Sequence, residues 1–90
     1  MMDWHEAKTA CADLFLNGFS DWHLPTKEEL NMLYWKRPIR DFRSGIYWSS
    51  TSYSSHSAWG QRFGGIPRVD GLQVRHSIIY KERFRCVRDF

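Results

Sequence analysis

The residues of this chain that could do chemistry are four histidines, two cysteines and a serine-rich run over residues 51–57. A catalytic serine needs a base within hydrogen-bond reach and a turn that exposes its hydroxyl. His56 lies among Ser54, Ser55 and Ser57, but no G-x-S-x-G elbow is present, so the run reads as a loop. A zinc site normally takes four ligands. His5, His23, His56 and His76 show neither C-x-x-C nor H-x3-H spacing with Cys11 and Cys86, so no metal site is expected. Gly64-Gly65 is too short to cradle a phosphate and precedes no helical pattern. No cofactor is implied, and no residue set requires an enzyme.

Binding is the remaining chemistry. Tyr53, His56, Trp59, Arg62, Arg68 and Arg75 are the candidate ligand-binding residues, spread over a segment of loops and strands at 51–76. Aromatic rings and arginines dominate binding energy at interfaces. They also stack on sugar rings and pair with sulfate or carboxylate groups. Tyr47, Trp48 and Trp59 fit a core equally well, because large rings supply most of the apolar area a short chain can bury. Tyr53, His56 and Arg68 are the better candidates for exposed contacts.

Charge supports an anionic partner. Residues 1–35 hold two Lys against six acids, a balance of −4, while residues 36–90 hold eleven Lys or Arg against four acids, a balance of +7. Such an asymmetry implies a basic face; a solvated surface with scattered arginines would show the same count. Nucleic acid is a rival partner for a basic chain. However, no helix-turn-helix, zinc-finger or ribonucleoprotein pattern is present, and the cations are not gathered along one helix. Membrane insertion is not expected, since no run approaches the ~18 apolar residues a spanning helix needs. The first ten residues carry Asp3, His5, Glu6 and Lys8, which is not a signal peptide. The expectation is either a complete cytoplasmic reading frame or a chain whose leader is left off.

The elements that must position these residues fit one domain over residues 1–90, of which aromatics make up 17%. Asp3 can cap a first helix, with Glu6 three residues on. Trp4, Ala7, Cys11, Leu14 and Phe15 recur at helical spacing, and Asn17-Gly18 suits the helix end. Pro25 cannot sit inside a helix. Thr26 is then a good N-cap, and Glu29 completes a capping box. The second helix is expected from Lys27 to about Trp35, with Leu30, Leu33 and Tyr34 inward and Pro38 as its stop. The basic connector at 36–43 reads as a loop pinned by Ile39 and Phe42, or as an anion-contacting one. Strand chemistry follows at 46–50 and 58–63, with Trp59 and Phe63 on one face. One or two short strands are expected at 72–80 and a closing strand at 84–88, with Phe84 and Cys86 inward. Two early helices followed by several short antiparallel strands read as α+β.

The motif Asp21-Trp22-His23-Leu24-Pro25-Thr26, followed by Glu29-Leu30, resembles the signature of the Lcl C-terminal-like domain family of bacterial and phage proteins. Trp4, Ala7, Cys11 and Leu14 precede it. Tyr47-Trp48-Ser49-Ser50-Thr51, Ala58-Trp59 and Arg85-Cys86-Val87-Arg88 follow in the family's order, so the resemblance covers nearly the whole chain. His23 departs from it, standing where the family usually has Arg. The resemblance implies a fold similar to C-type lectins and formylglycine-generating enzymes, with the part of the chain that holds residues 51–76 presenting ligand-binding loops. The enzymes' cysteine-based site is not carried over. Neither Glu-Pro-Asn nor Trp-Asn-Asp, the triplets of calcium-dependent sugar binding, is present.

In such folds the first helix is tied to the last strand, which implies a Cys11–Cys86 disulfide; two buried free thiols are the alternative. An oxidised pair implies an extracellular or cell-surface setting, and reduced thiols a cytoplasmic one. Such folds also begin with a strand that pairs with the closing one, and here the chain starts at the first helix. The edge at 84–88 is then open unless the protein itself covers it, and a homodimer or a partner strand could pair there. The expected function is a binding module for an anionic glycan or a surface protein. The alternative is a small protein that binds or inhibits a protein partner.

Overall fold

The computed structural model describes residues 1–36, 43–65 and 67–88. Two helices, α1 (Trp4–Ala12) and α2 (Lys27–Lys36), precede three strands, β1 (Gly45–Ser52), β2 (Ser57–Phe63) and β3 (Gln73–Ser77). The strands form one antiparallel sheet in the order β1-β2-β3. This is the expected α+β arrangement. The stop at Pro38 and the connector's Ile39 and Phe42 lie outside the described residues.

Alternation along the strands sends the core to both faces of the sheet. Trp48 and Ala58 pack with Trp4, Ala7 and Cys11 of α1 and with Leu24. Tyr47 and Phe63 pack on the opposite face with Leu30 and Tyr34 of α2. Both indoles of the first cluster find acceptors, as buried tryptophans usually do. Trp4 Nε1 donates to the Ser49 carbonyl at 2.8 Å and Trp48 Nε1 to that of Met2 at 3.0 Å.

Both helix starts are capping boxes. The Glu6 N–H donates to Asp3 Oδ1 at 2.9 Å, and the Asp3 N–H donates back to Glu6 Oε1 at 3.1 Å. At α2 the Glu29 N–H donates to Thr26 Oγ1 at 3.1 Å, and the Thr26 N–H donates to Glu29 Oε1 at 2.8 Å.

The end of α1 differs from the expectation. The helix stops at Ala12 with Asp13 as its cap, and Phe15, assigned from its spacing to the apolar stripe, is 71% exposed. Asn17 and Gly18 do not cap this helix. Both have positive φ, 56° and 82°, and they form a two-residue turn between Leu16 and Phe19, whose backbones exchange two hydrogen bonds. An Asn-Gly pair suits this tight hairpin turn, which needs a left-handed conformation at both positions. Trp22 ties the turn down by donating Nε1 to the Phe19 carbonyl at 3.1 Å.

The C-terminal segment also differs. No regular strand spans 84–88. Instead, Glu82 bridges Met2, Arg83 bridges Tyr47 in parallel, and Val87 bridges His23. Of the edge at 84–88 expected to be open, Val87 is paired with His23 on the protein itself, and just before it Glu82 is paired with Met2. Cys86 is bonded to Cys11, with Cα atoms 5.3 Å apart and a sequence separation of 75. The tail is held further by His76, whose Nε2 meets the Glu82 carboxylate and whose ring lies against Trp48 and Tyr80.

Candidate functional site

The end of β1 and the start of α2 meet on the face of the sheet that carries Phe63. Ser50 N–H donates to the Pro25 carbonyl at 2.7 Å, and Lys27 N–H donates to Thr51 Oγ1 at 2.9 Å. At this point β1 departs from regular pairing with β2, between Trp48 and Ser52. Ser49 fills the irregularity: its hydroxyl donates to the Trp59 carbonyl at 2.6 Å and accepts from the Thr51 N–H at 3.2 Å. The two motifs around Pro25 and Ser50 are therefore one structural joint, which sets Lys27 and Tyr53 on either side of Trp59.

A buried glutamine completes the joint. Gln61 is 0% exposed; its Nε2 donates to Asn31 Oδ1 and to the Gly71 carbonyl, both at 3.0 Å. Gln73 Nε2 donates to the Lys27 carbonyl at 2.8 Å and reaches Gln61 Oε1 at 3.4 Å. Buried amides with all these partners fix geometry as well as contribute energy, since leaving one unpaired is costly.

On this base sits a row of alternating cations and rings. Lys27 Nζ lies 3.9 Å from the Trp59 ring centroid. Trp59 meets Tyr53 edge-on, with centroids 5.9 Å apart. The Arg75 guanidinium lies 4.5 Å from the Tyr53 centroid. Trp59 and Arg75 are register partners across β2 and β3, so the sheet itself brings them together. Tyr53 and Arg75 are exposed, while Trp59 and Lys27 are half-buried.

Three of the six residues singled out from the sequence, Tyr53, Trp59 and Arg75, are thus brought together. Lys27 was missed because 32 positions separate it from Trp59 and no local spacing signals the meeting. His56 stands exposed at the loop tip, its N–H held by Ser54 Oγ and its carbonyl by the Ile78 N–H. Among the described residues no ring or ionic contact joins its imidazole to the row. Arg62 points to the other face of the sheet, in alternation with Gln61 and Phe63. Arg68 is exposed in the turn beyond Phe63, at the far end of β2 from Tyr53. Tyr47 and Trp48 are core.

A second charged arrangement surrounds the Trp22 motif. His23 Nε2 sits 3.1 and 3.3 Å from the two oxygens of Glu29. Burial pushes the Glu29 carboxyl up, but the Thr26 N–H, His23 and the Thr26 hydroxyl together outweigh it and hold the group below its ordinary value. Arg88 grips Asp21 side-on, at 2.7 and 3.3 Å, and this bond first of all lowers the Asp21 carboxyl. The same guanidinium lies 3.3 Å from the Phe19 ring centroid.

The architecture is that of a small disulfide-linked α+β domain. The chain belongs to the Lcl C-terminal domain family, whose profile matches residues 1–88. No curated protein matches the chain. Among the described residues no helix is long and apolar enough to cross a membrane, and no three His, Cys, Asp or Glu side chains form a group that could hold a metal ion.

Proposed function

We propose that this domain is a non-catalytic binding module that recognises an anionic glycan through the row Lys27, Trp59, Tyr53 and Arg75. The observation that supports this reading is the alternation itself. A sugar ring can stack on an aromatic face while an acidic substituent meets the neighbouring cation, and the row offers both within one short surface. His56 flanks the row as a secondary contact. The test is retention on a sulfated polysaccharide matrix at low salt. Trp59→Ala and Arg75→Gln are each expected to weaken binding severalfold, and an uncharged polysaccharide of similar length should not retain the protein. Absence of retention on sulfated or uronate-bearing matrices at low ionic strength would overturn the reading.

A second reading, a protein partner, draws support from a different surface. Phe15, Leu16 and Phe19 are exposed around the Asn17-Gly18 turn, beside Trp22. If that surface carries function, Phe15→Ser should abolish partner capture while leaving polysaccharide retention intact.

A further inference from the structure

The sheet has two outer edges, and they differ. The edge of β1 is taken: the Arg83 N–H donates to the Ile46 carbonyl at 3.0 Å, and the Trp48 N–H donates to the Arg83 carbonyl at 2.9 Å. β3 is the end strand on the other side, and among the described residues no strand or bridge lies beyond it. Its hydrogen-bond phase is fixed at both ends. The Arg62 N–H donates to the Leu72 carbonyl at 2.9 Å, and the Ile78 N–H donates to the His56 carbonyl at 3.1 Å. Bonded residues alternate along an antiparallel ladder, so Leu72, Val74, His76 and Ile78 turn their backbones to β2. Gln73, Arg75 and Ser77 turn theirs outward. The Ser77 carbonyl takes the Tyr80 N–H at 3.2 Å; among the described residues the other outward groups meet no backbone partner. The side chains give this edge two unlike flanks. On the α2 face, Gln73 Nε2 is held by the Lys27 carbonyl and Arg75 stands exposed over Tyr53. On the α1 face, His76 lies against Trp48 and Tyr80, and alternation adds Leu72 and Val74. Leu72 and Tyr80 are exposed there, and no acid occurs over residues 72–80.

We propose that the outer edge of β3 takes an extended acidic segment of another protein as an antiparallel fourth strand beside the three present. In that pairing Arg75 exchanges both N–H···O bonds with one residue of the incoming strand, whose side chain then stands beside Arg75 on the α2 face. Opposite charges in directly facing positions stabilise a sheet and like charges destabilise it. A carboxylate is therefore the side chain that fits opposite Arg75. The residues on either side of it turn to the apolar flank of Leu72, Val74 and Tyr80, so the partner alternates acidic and apolar residues. The same rule disfavours a second copy of this chain centred on Arg75, which would set two like charges against each other. Main-chain bonds supply the affinity in strand addition, and alternate side chains supply the specificity. Arg75 is shared with the glycan row, but backbone groups hold the strand, so a loss of polysaccharide retention would leave this proposal standing.

The experiment is an NMR titration of the intact, disulfide-bonded protein with a capped peptide of alternating residues, Val-Glu-Val-Glu-Val-Glu-Val. The controls are the same peptide with lysine in place of glutamate, and the glutamate peptide methylated on its glutamate backbone nitrogens. The expected result is a saturable shift of the Gln73, Arg75 and Ser77 amides, with new protection from hydrogen exchange. The Val74 and His76 amides, already bonded to β2, should gain little. The lysine peptide should bind about tenfold more weakly. The methylated peptide lacks the donors that meet the edge and should not bind. Arg75→Glu, at an exposed position, should reverse the preference between the glutamate and lysine peptides. Light scattering of the protein alone should give a monomer. The proposal would be overturned by any of five results: no saturable response at those three amides; equal affinity for the two charged peptides; an undiminished response to the methylated one; an unreversed preference in Arg75→Glu; or a dimer in which the same amides are already protected.

Discussion

Glu29 carries more of the structure than its half-exposed position suggests. Its carboxylate caps α2 through the Thr26 N–H and holds the His23 ring, which pins the strand-like contact between His23 and Val87. Because the folded carboxyl titrates below its ordinary value, its stabilisation is fully present above about pH 4.3. It is lost as pH falls through the folded value. Glu29→Ala should cost about 1–2 kcal/mol at neutral pH, read from urea unfolding. Glu29→Gln, which keeps an acceptor but no charge, should cost less and flatten the acid limb of stability between pH 5 and 3. An acid limb identical to wild type in Glu29→Gln would assign that limb to other carboxylates. This box was legible in the sequence because its partners are three residues apart. The meeting of Lys27 with Trp59 was not, because only the tertiary fold brings them together, and the buried Gln61 was not, because a glutamine in a strand gives no sign that it faces a helix.

At the scale of elements, the sequence pattern located both helices and the first two strands to within one or two residues, except at the end of α1. There, helical spacing extended the apolar stripe to Phe15, although the Asn17-Gly18 turn imposes a different local geometry. The turn itself can be tested cleanly. A Cβ on Gly18 would meet nothing within 4 Å, so a substitution there acts through backbone conformation alone. Gly18→Ala should cost about 1 kcal/mol, and Asn17→Gly should be nearly neutral; both are read from thermal or urea midpoints. The closing segment was misjudged for a related reason. Its residues alternate like a strand, but the Cys11–Cys86 bond and the three bridges hold it as an irregular strap across the helix and β1. By the loop-entropy relation, closing a 75-residue separation contributes about 4.5 kcal/mol. Reduction should therefore lower the urea midpoint substantially, and slowly, since Cys11 is fully buried and the reductant must wait for local opening. An unchanged midpoint under strong reductant would argue that the strap is held by its bridges alone.

For the whole molecule, the sequence showed that cations gather in the second part of the chain but not which of them share a surface. The fold separates them. Arg75 joins the ring row with Lys27, the one cation there from the acidic N-terminal part; Arg62 borders its own pocket on the other face; Arg88 is committed to Asp21 and Phe19. Net charge therefore does not define the binding face, and the two kinds of group in the row should respond differently to salt. Charge attraction at an exposed surface weakens as the screening length falls from about 10 Å at 0.1 M to about 3 Å at 1 M, whereas ring stacking is not screened. Arg75→Gln and Lys27→Gln should thus lower affinity for a sulfated polysaccharide severalfold at low salt, and progressively less as salt rises. Trp59→Ala should lower it by a similar factor at every salt concentration. Arg88→Gln should destabilise the tail yet leave the salt dependence of binding unchanged. Equal salt dependence in Arg75→Gln and Arg88→Gln would mean that overall charge, rather than the row, steers the polymer, and the row would then lose its claim to be the recognition surface.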